Sequence, residues 1–238
     1  MKALILNSGL GSRMKWHTKE HPKCMTDLIN GESILSRQLS LLQAFGVKDV
    51  VITTGYYDQV LMDYCKELNM DLNITFVKNP LYDCTNYIYS IYCARDIVKD
   101  EDIVLLHGDL VFDASVLEMA LNNPKSCMTV STTAPLPEKD FKAVLVGDKI
   151  VKVGIEFFDN AVTAQPLYKL NKADWNVWLD KIVECCESDV RKCYAENAFN
   201  QVSDRCEIFT VDVLDKLCAE IDTPEDLTKI VELLKQID

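Results

Sequence analysis

Residues 1–23, MKALILNSGLGSRMKWHTKEHPK, determine the fold prediction. The apolar run 3–6 is typical of a buried strand, and the small residues 7–12 then form a loop with two glycines. Glycines at such a turn let the backbone approach a ligand closely and expose N–H groups to an anion. A basic segment follows, in a chain that is otherwise acidic. We therefore predict a phosphate site at which Arg13 and Lys23 neutralise charge.

This glycine pattern also has simpler explanations, because a Gly-x-Gly turn is common in α/β proteins and a basic run is often a solvated face. Two well-known phosphate motifs are excluded. A dinucleotide-binding fingerprint needs a third glycine, and Met14 occupies that position. A Walker loop needs Gly-Lys followed by Ser or Thr, which the segment lacks. A phosphate loop here must therefore follow another pattern.

The length and charge of the chain restrict its partners. With 238 residues we expect one domain, or one domain with a small lobe. The chain carries 37 acidic and 25 basic residues, and this net charge of −12 argues against nucleic-acid binding. A single nucleotide held at a local basic site remains compatible with that charge.

Neither a signal peptide nor a membrane span is expected. The apolar run after Lys2 is too short for a signal core, and no apolar stretch approaches the roughly 18 residues that span a bilayer. The ten cysteines are scattered without a Cys-x-x-Cys pair, which disfavours a zinc site. We therefore expect reduced, mostly buried thiols in a cytoplasmic protein.

The first 80 residues alternate between strands and helices. Further strands are predicted over 47–54 and 73–77, and helices after Ser33 and over 58–68. The resulting β-α-β-α-β pattern predicts a parallel sheet with helices on both faces. Ligands bind beyond the carboxyl ends of the strands in such sheets, and the two loop glycines lie at that edge.

Two polar side chains are predicted at the same edge. Asn86 can cap the helix that follows Pro80, and its amide offers both a donor and an acceptor, as needed to read a pyrimidine. Asp109 follows Gly108 and the apolar strand 102–107. It is either a turn residue or a ligand for Mg²⁺, which prefers oxygen ligands and often shares them with substrate phosphates.

The second half of the chain predicts antiparallel structure and one long helix. Strands are predicted over 126–132, 141–146 and 149–153, with an extended segment continuing to Phe158. A helix that begins at Asn171 places Trp175 and Trp178 on one face. These tryptophans are either core packing or a cation-binding cage.

Several charged residues in this half have two explanations each. Lys142 and Glu156 interrupt apolar runs and face either solvent or a substrate. Glu196, in a short helix, is either a solvated acid or a carboxylate that pairs with the ammonium group of a ligand. Glu220 and Asp222 share one side of an extended segment because their side chains alternate with the residue between them.

Three segments resemble one enzyme family. The segment 6–13, LNSGLGSR, followed by Pro22-Lys23, resembles the signature of nucleotidyltransferases with a glycosyltransferase-A-like fold, although Asn7-Ser8 replaces the usual pair of alanines. The segment 79–92 resembles a part of bacterial phosphocholine cytidylyltransferases, and 220–227 resembles the C-terminal metal motif of the same family. These enzymes transfer a nucleoside monophosphate from an NTP to a phosphorylated acceptor.

The resemblance implies an α/β fold with three layers, α/β/α, of the GT-A-like (Rossmann-like) nucleotidyltransferase type. Its sheet would be mixed and mostly parallel, with a small antiparallel acceptor lobe. One nucleotidyltransferase domain would then occupy 1–238. Residues 1–125 would form the nucleotide-binding core, and 126–238 the acceptor-binding part with the C-terminal metal motif.

The resemblance also implies residue roles. Arg13 would bind the β- and γ-phosphates, and Lys23 would stabilise charge at the α-phosphate and orient the acceptor. The expected nucleotide-binding residues are Leu6, Asn7, Ser8, Gly9, Gly11, Ser12, Arg13, Asn86, Ser90 and Asp109. The expected metal ligands are Asp109 and Asp222, with Glu220 in support. The expected acceptor-binding residues are Lys23, Lys142, Glu156, Glu196 and Asn197.

The expected activity is Mg²⁺-dependent transfer of CMP from CTP to a small acceptor, with release of pyrophosphate. Phosphocholine, aminoethylphosphonate and glutamine phosphate are the acceptor candidates, and the activated product would serve cell-surface decoration. The alternatives are a sugar-1-phosphate nucleotidyltransferase that uses another NTP, which Asn86 disfavours, and a non-catalytic nucleotide-binding regulator. The expected partners are small molecules rather than nucleic acid or membrane. The oligomeric state is left open, and a homodimer is one option.

Overall fold

Helices cover both faces of a central mixed sheet in the computed structural model, which describes residues 1–237. The strands are β1 (Lys2–Leu6), β2 (Asp49–Thr54), β3 (Asn73–Lys78), β4 (Ile103–His107), β5 (Leu110–Phe112), β6 (Cys127–Ser131), β7 (Lys142–Val146), β8 (Lys149–Gly154), β9 (Ala161–Leu170), β10 (Ile208–Asp212) and β11 (Cys218–Glu220). The helices are α1 (Ile34–Ala44), α2 (Asp58–Glu67), α3 (Tyr87–Val98), α4 (Ala114–Asn122), α5 (Lys172–Glu187), α6 (Ala195–Phe199) and α7 (Pro224–Ile237). None of these helices has the length and apolarity that a bilayer-spanning segment needs.

The parallel half of the sheet confirms the predicted β-α-β-α-β pattern. The order of the strands is β3-β2-β1-β4-β9-β6-β10-β8-β7, and β1 pairs in parallel with both β2 and β4. Strands covered by helices on both faces are almost wholly apolar, which explains the buried runs in β1 and β4. The carboxyl ends of β1 and β4 are therefore adjacent, at the sheet edge where ligands bind in such folds.

The antiparallel half contains a strand that the sequence pattern did not reveal. Strand β9 lies between β4 and β6 and is antiparallel to both. Pro166 within β9 argues against a central strand, since proline cannot donate to the sheet. A register shift in the pairing with β6 falls between Met128 and Thr129, opposite this proline, and accommodates it. The prediction of extended structure up to Phe158 was wrong, because β8 ends at Gly154.

A two-stranded sheet joins the C-terminal segment to the end of β4. Strand β11 pairs antiparallel with β5, so that Glu220 lies opposite Leu110. The N–H of Ile221 also donates to the backbone oxygen of Asp109, at 3.0 Å. These contacts bring residues from the far end of the chain to the carboxyl edge of the main sheet.

The two tryptophans of α5 belong to the core. Trp175 and Trp178 are fully buried, and their ring N–H groups donate to the backbone oxygens of Val98 and Ala195, each at 2.9 Å. A cation-binding cage at this position is therefore excluded. All ten cysteines are free thiols and seven are buried, as expected.

Helix α1 has the N-terminal cap that Ser33 predicted. Ser33 Oγ accepts from the N–H of Ser36, while Ser36 Oγ accepts from the N–H of Ser33. The hydroxyl of Tyr64 also donates to Ser33 Oγ, at 2.8 Å. This serine therefore connects the start of α1 to α2.

Replacing Ser33 with alanine is expected to lower the free energy of unfolding by about 1–2 kcal/mol. The substitution removes the cap and leaves the Tyr64 hydroxyl without this partner. Urea denaturation measures the effect, and Ser40→Ala, at an exposed position of the same helix, is the matched control. Equal stability of the two variants would contradict a contribution from the cap.

Candidate functional site

Three cavities meet at Asp109, at the carboxyl ends of β1 and β4. The amide cavity, of about 190 Å³, is lined by Leu6, Ser8, Gly9, Asn79, Asn86, Tyr87, Ser90 and Asp109, among others. The loop cavity, of about 290 Å³, is lined by Leu6, Asn7, Gly9, Gly11, Ser12, Arg13, Lys23 and Asp109, among others. The aromatic cavity, of about 340 Å³, is lined by Arg13, Tyr87, His107, Asp109, Asp140, Phe141, Tyr194, Glu220 and Asp222, among others.

The amide cavity gathers hydrogen-bonding side chains at the start of α3. Asn86 Oδ1 accepts from the N–H of Tyr87 at 2.7 Å and so caps the helix, as predicted. Asn79 Nδ2 donates to Ser90 Oγ at 3.0 Å, which fixes both side chains against the cavity. The Oγ of Ser8 is buried and has no hydrogen-bond partner among the described residues. The predicted residues of this group thus lie together and offer polar atoms to a ligand.

The loop cavity lies against the glycine-led loop after β1. Gly11 has a φ of +62°, a left-handed conformation that glycine adopts without strain. A Cβ at this position would lie 3.0 Å from the Cβ of Lys23, so the close approach also requires glycine. The loop therefore brings its backbone, Arg13 and Lys23 to one cavity, as the sequence predicted.

Lys23 and Arg13 form ion pairs with carboxylates at the centre of the site. Lys23 Nζ lies 2.5 Å from Asp109 Oδ2 and 2.9 Å from Asp222 Oδ1. Arg13 also contacts Asp222 Oδ1, at 2.8 Å. Burial disfavours the ammonium group, but the two carboxylates outweigh burial and raise the pKa of Lys23 above its ordinary value. Both basic residues line the loop cavity, where an anionic ligand would meet them.

His107, Asp109 and Glu220 form a group in which one ligand atom from each lies within 4.8 Å of the others. His107 Nδ1 is 3.0 Å from Glu220 Oε1. Burial, together with the charge of Asp109, raises the pKa of Glu220 above its usual range. Asp109 Oδ1 is buried and accepts no hydrogen bond among residues 1–237. A divalent cation fits this group, because it would bind that oxygen and offset the repulsion between the carboxylates of Asp109 and Glu220.

The three predicted metal ligands, Asp109, Asp222 and Glu220, line the aromatic cavity together with His107. His107 lies with Asp109 and Glu220 in the group just described. Asp222 pairs with Arg13 and Lys23 at the edge of this group. His107 was not predicted, although it ends a buried strand two residues before Asp109, and that position was a usable signal.

Glu196 requires a correction. It is 1% exposed, so it is neither a solvated acid nor an open partner for an acceptor. Tyr168 donates to its Oε1 at 2.8 Å, and the hydroxyl of Tyr87 donates to its Oε2. Both carboxylate oxygens are therefore occupied within the protein.

The other three residues predicted for the acceptor also have local roles. Lys142 is fully buried, and its Nζ donates to the backbone oxygens of Pro137 and Asp140, at 2.7 and 3.1 Å. Asn197 Oδ1 accepts from the N–H of Tyr194 and caps α6. Glu156 is exposed and folds back over β8, outside the three cavities. Of the predicted acceptor residues, Lys23 alone contacts the central carboxylates.

The aromatic rings that line the aromatic cavity were not predicted as site residues, in contrast to its charged residues. The rings of Phe141 and Tyr194 lie 5.0 Å apart, and those of Tyr194 and Tyr87 lie 5.8 Å apart. The ring of Tyr87 contacts His107 edge-on at 4.7 Å. Spacing along the chain gives no signal for this group, because its members come from separate elements.

A model of the MobA-like NTP transferase domain matches residues 3–141. This segment includes the loop after β1, Asn86 and Asp109. Glu220 and Asp222 lie beyond the matched segment. The match thus covers the part of the chain that forms the amide and loop cavities and one of the central carboxylates.

Two relatives and one solved structure are similar to this chain, each over a different share of its length. The CTP:phosphoglutamine cytidylyltransferase of Campylobacter jejuni is 29% identical over 127 residues, 51% of this chain and 49% of that protein, so the match spans about half its length. The choline-phosphate cytidylyltransferase of Streptococcus pneumoniae is 27% identical over 260 residues, covering 99% of each chain. The solved CTP:phosphocholine cytidylyltransferase from Streptococcus pneumoniae has a TM-score of 0.78 and 19% identity over 98% of each chain. This structural likeness shows the α/β nucleotidyltransferase fold.

Proposed function

Since the chain belongs to the family of MobA-like NTP transferase domains, we propose that it is a Mg²⁺-dependent cytidylyltransferase. It transfers CMP from CTP to a small phosphorylated or phosphonate acceptor and releases pyrophosphate. The observation that carries this proposal is the meeting of three cavities at Asp109. A transfer between two substrates needs a place for the base, a place for the phosphates and a place for the acceptor around one reacting centre.

The amide cavity is assigned to the cytosine, because Asn86 and Ser90 supply the donor and acceptor groups that a pyrimidine edge requires. The loop cavity is assigned to the triphosphate, where backbone N–H groups and Arg13 meet its charge. The aromatic cavity is assigned to the acceptor, which must approach from the side opposite the leaving pyrophosphate. Asp109 lies where the three cavities meet, and so beside the base, the phosphates and the acceptor in this assignment.

The chemistry requires positioning and charge neutralisation rather than a general base. The acceptor oxygen is already anionic, so it attacks the α-phosphorus directly and pyrophosphate leaves in line. Lys23 neutralises the charge that develops on the transferred group. Asp109, Asp222 and Glu220 would hold the metal ion through carboxylate oxygens, with His107 bonded to Glu220 beside them, and the ion would supply further stabilisation of phosphate charge.

The acceptor assignment is a class and not a single compound. Phosphocholine, aminoethylphosphonate and glutamine phosphate each combine a phosphate or phosphonate oxygen with a nitrogen-containing group. Lys23 suits the anionic end, because it contacts two carboxylates that line this cavity, while Asp140 and the rings of Phe141 and Tyr194 suit a cationic end. The CDP- or CMP-activated product would then be consumed by an enzyme that transfers the activated group to a cell-surface polymer.

Pyrophosphate release with Mg²⁺ tests the proposal. CTP, UTP, GTP, ATP and dTTP are each combined with phosphocholine, aminoethylphosphonate, glutamine phosphate and glucose-1-phosphate. Release is expected with CTP and one of the first three acceptors. Release with glucose-1-phosphate and another NTP would replace the proposal with a sugar-1-phosphate nucleotidyltransferase. Nucleotide binding without release from any combination would favour a non-catalytic regulator.

A further inference from the structure

Glu196 is a buried carboxylate that the proposed reaction does not use. It lies in the short helix α6 and is 1% exposed. Burying a carboxylate is costly unless hydrogen bonds satisfy it, and two tyrosine hydroxyls do so here. Such an arrangement stabilises the fold less than an apolar residue of similar size often would. The carboxylate of Glu196 therefore matters for the side chains that it holds in place.

The two tyrosines bonded to Glu196 have different surroundings. Tyr168, on β9, is fully buried with its ring 5.4 Å from that of Trp178, in the core. Tyr87, on the first turn of α3, lines both the amide cavity and the aromatic cavity. Glu196 therefore connects the core to the surface that separates these two cavities.

Tyr87 can offer a ligand its ring rather than its hydroxyl. The hydroxyl of Tyr87 donates a hydrogen bond to the buried carboxylate of Glu196, and so it is not free for a ligand. The ring is held between His107, at 4.7 Å, and Tyr194, at 5.8 Å. The hydrogen bond thus fixes the tilt of an aromatic wall that both substrates would touch.

We propose that Glu196 is a positioning residue, whose hydrogen bond to Tyr87 fixes the aromatic wall between the nucleotide and the acceptor. This inference rests on the proposed function for its assignment of the two cavities. The sequence predicted a direct contact between Glu196 and the acceptor, whereas in this proposal Glu196 affects the acceptor only through Tyr87. Tyr87 is the residue that touches substrate, and Glu196 acts through it.

Three variants test this role through steady-state kinetics with CTP and the acceptor found active. Tyr87→Phe keeps the ring and removes the tether, and Glu196→Leu keeps a side chain of similar size that accepts no hydrogen bond. We expect each to raise the acceptor KM about tenfold while kcat changes less than about threefold. The double variant is expected to match either single one, because both remove the same interaction. Tyr92→Phe is the matched control, because Tyr92 lies on the same helix α3 and lines none of the three cavities, and it should leave KM unchanged.

Several results would overturn the positioning role. An unchanged acceptor KM in Tyr87→Phe with a raised KM in Glu196→Leu would mean that Glu196 acts on the acceptor without Tyr87. An equal rise in Tyr92→Phe would mean a general effect on the fold, which thermal denaturation of the single variants would also report. If the wild-type protein releases no pyrophosphate, the proposed function fails instead. Equilibrium binding of CTP then decides the positioning role, which requires weaker binding in Tyr87→Phe and Glu196→Leu than in Tyr92→Phe.

Discussion

Asp109→Asn is expected to lower the rate of pyrophosphate release by roughly a thousandfold, since a metal ion at a transferring phosphate supplies several kcal/mol and each 1.4 kcal/mol is tenfold. Asp109 is the residue that all three cavities share. Its Oδ1 is buried without a hydrogen-bond partner among the described residues. An amide at this position keeps the size of the side chain and loses the charge that a divalent cation requires.

The fold is expected to survive this substitution. Asparagine still offers an oxygen to Lys23, and Lys23 keeps its second ion pair with Asp222. The backbone of Asp109 continues to accept from the N–H of Ile221. The thermal midpoint should therefore change little, while the rate falls.

Pyrophosphate release and Mn²⁺ binding by calorimetry measure the two parts of this expectation. Asp212→Asn is the matched control, because Asp212 ends β10 at the same edge of the sheet and bonds Thr132 instead of lining the three cavities. The control should retain wild-type turnover and metal affinity. Near-normal turnover in Asp109→Asn would rule out a metal-binding role for Asp109.

Lys23→Met is expected to have opposite effects on turnover and on metal affinity. Turnover should fall at least about a hundredfold, as when one group that stabilises developing charge is removed. In the absence of nucleotide, however, Mn²⁺ should bind about tenfold more tightly. The reason is that the ammonium group of Lys23 contacts Asp109 and Asp222 at 2.5 and 2.9 Å and competes with a metal ion for these carboxylates.

Methionine suits this test because it keeps most of the buried stem of the lysine and removes the charge. Lys19→Met is the matched control, since Lys19 is exposed in the same basic segment. Calorimetry with Mn²⁺ alone separates the two effects of Lys23. Unchanged or weaker Mn²⁺ binding by Lys23→Met would show that the lysine does not compete for the metal position.

The sequence was informative where a function depends on a local pattern. The loop after β1 and the cap at Asn86 are set by neighbours in the chain, so their positions followed from spacing. Asp109 was predicted at the sheet edge because it directly follows a buried strand. Family resemblance then linked these positions to Glu220, whose proximity no local pattern could reveal.

The sequence was uninformative where contacts join distant elements. Glu196 looked like an ordinary helix acid because its two tyrosine partners lie on α3 and β9. Strand β9 itself was missed because Pro166 breaks the strand pattern, and the register shift that accommodates it belongs to the pairing with β6. His107 was missed because its partner, Glu220, is 113 residues away along the chain.

The pairing of β5 with β11 has a consequence for the order in which the residues of the site come together during synthesis. The segment that matches the family model ends at residue 141, so a nascent chain of that length already contains the loop after β1, Asn86 and Asp109. It still lacks Glu220 and Asp222, which β11 brings to the site by closing a long loop. During synthesis, the residues that line the amide and loop cavities therefore precede those that complete the group of carboxylates, and β11 is the last strand added to that group.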